Sequence, residues 1–158
     1  MADITIKING RTVTAPAGST ILTAARLAGI EIPTLCFLKE INEIGACRIC
    51  VVEVKGARTL VASCVYPINE GMEVWTNTPQ VLASRKKTLQ LLLSNHDKKC
   101  LTCARNQDCE FQALGRELGV EESPYEGERD LRPIDVSESL PRDPNKCILC
   151  RRCVSVCN

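Results

Sequence analysis

At 158 residues the chain is long enough for one ordinary domain or for two or three small ones. Eleven cysteines stand against two phenylalanines, two tyrosines and one tryptophan, which points to a fold held by something besides an apolar core. A formal charge of +1, from 20 basic and 19 acidic side chains, gives no electrostatic case for nucleic acid or an anionic membrane as partner.

The N-terminal "MADITIKING" has no basic segment followed by an apolar run, so no secretory signal is expected. The stretch "LQLLL" is far too short to cross a bilayer, and direct membrane insertion is not expected. The expectation is a cytoplasmic protein, where thiols stay reduced. An odd number of cysteines also rules out complete disulfide pairing, so metal binding is the better starting hypothesis.

In chain order, "ITIKI" alternates, Asn9-Gly10 is a strong hairpin signal, and "RTVTA" alternates again. Ser19 or Thr20 can cap a helix through "ILTAARLA", which Gly29 can close. "VVEV" and "TLVAS" flank a Lys55-Gly56 turn, and "MEVWT" at 72–76 is a further strand candidate. The first segment therefore reads as a small mixed sheet packed on one helix. Thr78 as N-cap and Pro79 at the first helical position open a second segment. The helix "QVLASRKKTLQLLLSN" would carry Val81, Leu82, Leu89, Leu92 and Leu93 as part of an apolar face and deliver His96 at its C-terminal end. It is most simply a core helix, with its Arg85-Lys86-Lys87 face available to dock a subunit. A short helix from about Cys109 to Leu118, stopped by Gly119, comes next. The charged, Pro-rich "EESPYEGERDLRPIDVSESLPRDPN" reads as a connecting loop, and "KCILCRRCVSVCN" begins a third segment.

The cysteines fall into three groups. Cys36, Cys47, Cys50 and Cys64 form C-x10-C-x2-C-x13-C. Cys100, Cys103 and Cys109 form the second group, with His96 four residues before the first of them. Cys147, Cys150, Cys153 and Cys157 form C-x2-C-x2-C-x3-C. This last spacing is the bacterial ferredoxin run, in which three cysteines hold one [4Fe–4S] cluster and the fourth ligates another. Zinc sites usually join two C-x2-C knuckles by a longer loop, and three cysteines at x2 steps crowd a tetrahedron. The first group carries C-x2-C like a plant-type [2Fe–2S] site, but with a longer first gap. Gly45 and Ala46 before Cys47 would let backbone amides approach sulfur. A zinc knuckle on Cys47 and Cys50 is the competing interpretation. The three cysteines of the middle group leave one quartet short of a ligand, and the sole histidine, His96, can complete it. The choice there lies between a [4Fe–4S] cluster, a Cys3His zinc site, and an ordinary exposed or hydrogen-bonded histidine that ligates nothing.

The three groups in this order resemble the accessory-cluster region of [FeFe]-hydrogenases, electron-bifurcating ones included. They equally resemble the electron-transfer subunit of NAD-linked [NiFe]-hydrogenases and of NADH-linked formate dehydrogenases. The large iron–sulfur subunit of respiratory complex I shares the first two groups. The resemblance spans essentially the whole chain. It implies an α+β architecture: a β-grasp [2Fe–2S] ferredoxin-like domain at 1–77, a small helical His/Cys3 [4Fe–4S] domain at 78–119, a linker at 120–145, and the first half of a bacterial-ferredoxin-like 2[4Fe–4S] domain at 146–158. Within it, Cys36, Cys47, Cys50 and Cys64 would hold the [2Fe–2S] cluster. His96, Cys100, Cys103 and Cys109 would hold a His-ligated [4Fe–4S] cluster. Cys147, Cys150 and Cys153 would serve one ferredoxin-type [4Fe–4S] cluster and Cys157 a second.

Two departures qualify this mapping. Asn158 stands where simple bacterial ferredoxins place Pro, and the partner cysteines of the ferredoxin half do not follow it, so a longer subunit is expected. The implied function is an electron relay in a multisubunit NAD(P)H-linked oxidoreductase of hydrogenase type. Its implied partners are a flavin/NAD(P)H-oxidising subunit, other iron–sulfur subunits, ferredoxin, and a hydrogen-activating subunit or domain. A formate dehydrogenase or complex I-type dehydrogenase is the alternative of the same class. A zinc-stabilised interaction module is the alternative of another class. No catalytic constellation is expected: there is no phosphate-cradling glycine loop, and no nucleophile–base pair remains once His96 is committed. Arg151 and Arg152, between cluster cysteines, read as a solvated basic turn or as groups tuning potential or meeting an acidic partner.

Overall fold

The computed structural model describes residues 2–126 and 131–157. Strands β1 (Asp3–Ile8) and β2 (Arg11–Pro16) pair antiparallel around Asn9 and Gly10, both at positive φ. A two-residue hairpin matches the right-handed strand twist only with both central residues in that region. Asn9 does more than turn the chain. Its Nδ2 donates to Thr76 Oγ1 at 2.8 Å and its Oδ1 accepts from the Thr76 amide at 2.9 Å, which ties the hairpin to the strand beside it.

That strand is β5 (Glu73–Trp75), parallel to β1 and antiparallel to β3 (Val51–Val54), with β4 (Val61–Ala62) on the outer edge. The sheet order is β2-β1-β5-β3-β4. Helix α1 (Ile21–Leu27) is capped by Thr20, whose Oγ1 accepts from the Thr23 amide, and the chain leaves it through Gly29 at positive φ. Ile6, Ile8, Val13 and Ala15 alternate inward from the hairpin to meet Ile21, Leu22, Ala24 and Ala25 of α1. Burying each large side chain in this set contributes about 1.5–3 kcal/mol, and the same cluster includes Cys50 and Cys64. The strand expected over "TLVAS" is shorter than its pattern, because the Val65 and Tyr66 amides turn back onto Ala62 O and end pairing there.

Helix α2 (Pro79–Ser94) begins as expected, with Thr78 Oγ1 accepting from the Val81 amide. Its buried stripe differs from the apolar one. Val81 and Leu89 are buried, but the position between them belongs to Arg85, only 3% exposed, while Leu82 faces solvent. Arg85 Nη2 donates to Val51 O at 2.8 Å, so this guanidinium is a core cross-link rather than part of a docking face.

The chain forms two units, Met1–Arg85 with Arg151–Asn158, and Lys86–Cys150. The second unit holds the rest of α2, a 3-10 turn at Cys100–Thr102, α3 (Glu110–Glu117), a hairpin of β6 (Asp135–Val136) with β7 (Pro141–Arg142), and a 3-10 turn at Pro144–Lys146. This hairpin lies within the stretch expected to be loop, and its two-residue strands carry too short an alternation to be read from sequence. Residues 127–130 of that stretch, and Asn158, lie outside the described residues. Among the described residues the second unit buries Leu89, Ser94, Leu114 and Val120, a sparse core for its length. Helix α4 (Arg152–Val156) closes the described chain as part of the first unit. Among the described residues no helix is long and apolar enough to cross a membrane.

Candidate metal centres

The first cysteine group is gathered by the sheet. Cys50 precedes β3, Cys64 lies in the turn after β4, and Cys36 and Cys47 come from the long connection between α1 and β3. Cys36, Cys50 and Cys64 are buried and Cys47 is half-buried. The sulfurs of Cys50 and Cys64 lie 3.3 Å apart and share a hydrogen bond. That bond pulls the Cys50 thiol down to about 6 and drives the Cys64 thiol far up. Charge on Cys36 and Cys47 adds to the rise at Cys64.

Burial pushes the Cys36 thiol up, against amide hydrogen bonds from Cys47 and Ala46 that pull it down. Those amides reach sulfur because the loop is wound tightly. Gly45 sits at φ +62, and a Cβ there would meet Val65 Cγ2 at 3.2 Å. Arg48, between Cys47 and Cys50, has φ 59. A side chain in this left-handed region costs about 1–2 kcal/mol, and it persists where the surroundings over-determine the backbone. The same feature recurs in the other groups: Gln107 (φ 68) between Cys103 and Cys109, Leu149 (φ 56) between Cys147 and Cys150, and Arg151 (φ 63) between Cys150 and Cys153. Left-handed residues of this kind are one element of the backbone concavities that bind anions. Spacing alone did not identify these four residues.

In the second unit the chain after α2 carries His96, then Cys100 in the 3-10 turn, Cys103 after it, and Cys109 at the N-cap of α3. The Cys103 amide donates to Cys100 O at 3.1 Å, which folds the C-x2-C step. Gln112 of α3 braces the next loop, accepting from the Gln107 amide and donating to Asn106 Oδ1. The His96 ring packs on Phe111, with centroids 5.2 Å apart. Its Nδ1 is buried with no hydrogen-bond partner. Burial holds the imidazole below the ordinary histidine range, with Asp97 opposing the shift, so the ring is neutral at pH 7. A buried, neutral, unpartnered ring nitrogen is costly unless something accepts its lone pair.

The ferredoxin-type run is divided between the units: Cys147 and Cys150 are half-buried in the second, and Cys153 and Cys157 are exposed in the first. Arg152 is not a solvated turn residue, because its Nη2 donates to Phe37 O at 3.1 Å. Among the described residues no three His, Cys, Asp or Glu side chains converge on the position of one metal ion. The first group instead offers four cysteines with the Ala46 and Cys47 amides on Cys36, a donor set suited to a cofactor of several iron and sulfide atoms rather than to one ion. Asn42 also went unread in the sequence. It is buried and donates through Nδ2 to Cys36 O at 2.7 Å.

Comparison with known proteins agrees with this chemistry. Residues 1–79 match the family described as 2Fe-2S iron-sulfur cluster binding domain, residues 85–124 the NADH-ubiquinone oxidoreductase-G iron-sulfur binding region, and residues 140–157 a 4Fe-4S binding domain. The NADP-reducing hydrogenase subunit HndD of Solidesulfovibrio fructosivorans is 48% identical over all of this chain, which spans 28% of that protein. The NAD-reducing hydrogenase HoxS subunit gamma of Cupriavidus necator is 34% identical over 96% of this chain and 64% of its own length. A chain in a crystal structure of NAD+-reducing [NiFe]-hydrogenase in the H2-reduced state superposes with a TM-score of 0.91 at 35% identity, covering 98% of this chain and 65% of that one. These relatives are longer than this chain. By its match over residues 1–79 and the cysteine set within it, the chain belongs to the 2Fe-2S iron–sulfur cluster binding domain family, with 4Fe-4S binding regions following in the same polypeptide.

Proposed function

We propose that the chain is the electron-relay module of a multisubunit NAD(P)H-linked oxidoreductase of hydrogenase type. The observation that carries this is the succession of three cysteine sets inside three iron–sulfur regions matched in the same order. When bound, the clusters would supply one-electron chemistry, the currency needed between a two-electron flavin/NAD(P)H partner and a distal acceptor. Cys36, Cys47, Cys50 and Cys64 hold the [2Fe–2S] cluster in a β-grasp domain over 1–77. The sheet order β2-β1-β5-β3-β4 under one helix supports that assignment. His96, Cys100, Cys103 and Cys109 hold a [4Fe–4S] cluster in the helical segment 78–119. The buried, unpartnered Nδ1 of His96 supports the ligand role. After a linker at 120–145, Cys147, Cys150 and Cys153 serve a ferredoxin-type cluster, with Cys157 turned over to a second.

The chain's own residues have three tasks: supplying thiolates, aiming amides at sulfur, and keeping water from the buried cysteines. The partners are a flavin/NAD(P)H-oxidising subunit and further iron–sulfur and hydrogen-activating subunits, in line with the names of HndD and the HoxS gamma subunit. A complex I-type dehydrogenase is the second possibility, favoured by the region matched at 85–124. Anaerobically purified protein should be brown, with iron and acid-labile sulfide in stoichiometric ratio and both [2Fe–2S] and [4Fe–4S] signals on reduction. A colourless protein loaded with zinc would overturn the proposal.

A further inference from the structure

We infer that Asn42 and Ser155 form a latch that seats helix α4 on the loop following Cys36, holding Cys153 and Cys157 in fixed register with that side of the [2Fe–2S] site. The inference rests on the cluster assignment proposed above. Asn42 is 1% exposed, and a buried carboxamide is tolerated only when bonded. Its two ends face opposite ways along the chain: Nδ2 donates to Cys36 O at 2.7 Å, and Oδ1 accepts from Ser155 Oγ at 2.8 Å. A second bond, Arg152 Nη2 to Phe37 O at 3.1 Å, lies one residue beyond Cys36.

Helix α4 needs such anchoring. It has five residues, none of them buried, and Val154 and Val156 face solvent. One helical turn is far below the length that is stable on its own, and α4 has no apolar face in the core to compensate. The receiving loop is correspondingly firm. The Asn42 amide donates to Leu38 O at 2.7 Å, the Leu38 amide returns a bond to Asn42 O at 3.0 Å, and Glu40 is held at φ 64 between them. Ser155 stands two residues from both Cys153 and Cys157. Two hydrogen bonds therefore connect the carbonyl of one cluster-binding cysteine to the turn between two others. Asn42 and Ser155 are positioning residues: neither supplies a ligand.

The test uses the full subunit with its clusters loaded. Hydrogen–deuterium exchange should show α4 amides exchanging about fivefold faster in Ser155→Ala, and faster still in Ser155→Ala/Arg152→Ala, with the β1–β2 hairpin unchanged. Ser155→Thr keeps the hydroxyl and should restore protection. In parallel, the reduced [2Fe–2S] EPR signal should saturate at lower microwave power in Ser155→Ala, because its relaxing neighbour is no longer held, and should recover in Ser155→Thr. Unchanged α4 exchange in the double variant, or equal acceleration in the hairpin, overturns the latch while the cluster signals stand. Absence of a [2Fe–2S] signal in the unmodified protein overturns the cluster assignment instead.

Discussion

Gly45→Ala probes the loop that aims amides at Cys36. Two costs add at this position. At φ +62 an Ala side chain pays about 1–2 kcal/mol for the left-handed region, partly offset by about 0.4–1 kcal/mol from a less flexible unfolded chain. The new Cβ also meets Val65 Cγ2 at 3.2 Å and Cγ1 at 3.4 Å. Val65 is 44% exposed and can shift, which keeps the crowding cost near the lower end of the overpacking range, about 1 kcal/mol. Gly18→Ala is the internal control, since Gly18 has φ +85 and nothing within 4 Å of a Cβ. Urea unfolding followed by circular dichroism should place Gly45→Ala about 1 kcal/mol below Gly18→Ala. The [2Fe–2S] spectrum should change in Gly45→Ala alone, because the Ala46 and Cys47 amides that reach Cys36 move with the loop. Equal stability of the two variants, with an unaltered [2Fe–2S] spectrum, would refute the claim that close backbone approach builds this site.

Arg85→Ala should cost about 2–4 kcal/mol in urea unfolding, combining the lost charged donor to Val51 O with a cavity, whereas Arg85→Met should cost less. A loss in Arg85→Ala within experimental error would show the guanidinium to be dispensable. Thr20→Ala removes the cap accepting from the Thr23 amide and should lower stability by about 1 kcal/mol in the same assay. Glu73 is held below the usual carboxylate range by its 2.9 Å bond to Lys55 Nζ, with Lys7 adding to the effect. A depressed folded-state pKa stabilises above the unfolded value of about 4.3, and that contribution is lost as pH falls through the folded value. Lys55→Met should flatten the acid limb of stability against pH below about 4.3; an unchanged limb would contradict the pairing.

Much of the fold follows from local rules that sequence makes visible. Asn9-Gly10 is a hairpin because both φ values are positive there, and Thr78-Pro79 starts α2 because the hydroxyl caps it. Cysteine spacing grouped Cys36, Cys47, Cys50 and Cys64, and the fold sets the sulfurs of Cys50 and Cys64 3.3 Å apart. What stayed hidden depends on the third dimension. Arg85 reads as a surface charge beside Lys86 and Lys87, yet helical phase sets it between Val81 and Leu89 over a carbonyl of β3. Asn42 and Ser155 are common polar residues, and their bond joins positions 113 apart, beyond any local pattern. The left-handed residues Arg48, Gln107, Leu149 and Arg151 have side chains that do not announce positive φ.

Redox titration followed by EPR, on the full subunit and on His96→Cys, tests the relay most directly. Replacing a neutral imidazole by a thiolate adds negative charge to one cluster and lowers its potential, the reverse of the rise that histidine ligation gives Rieske centres. One [4Fe–4S] signal should move to lower potential in His96→Cys while the [2Fe–2S] signal titrates unchanged. Identical titrations for the two proteins would remove His96 from the ligand set, and a reduced protein with no paramagnetic signal would contradict the electron relay itself.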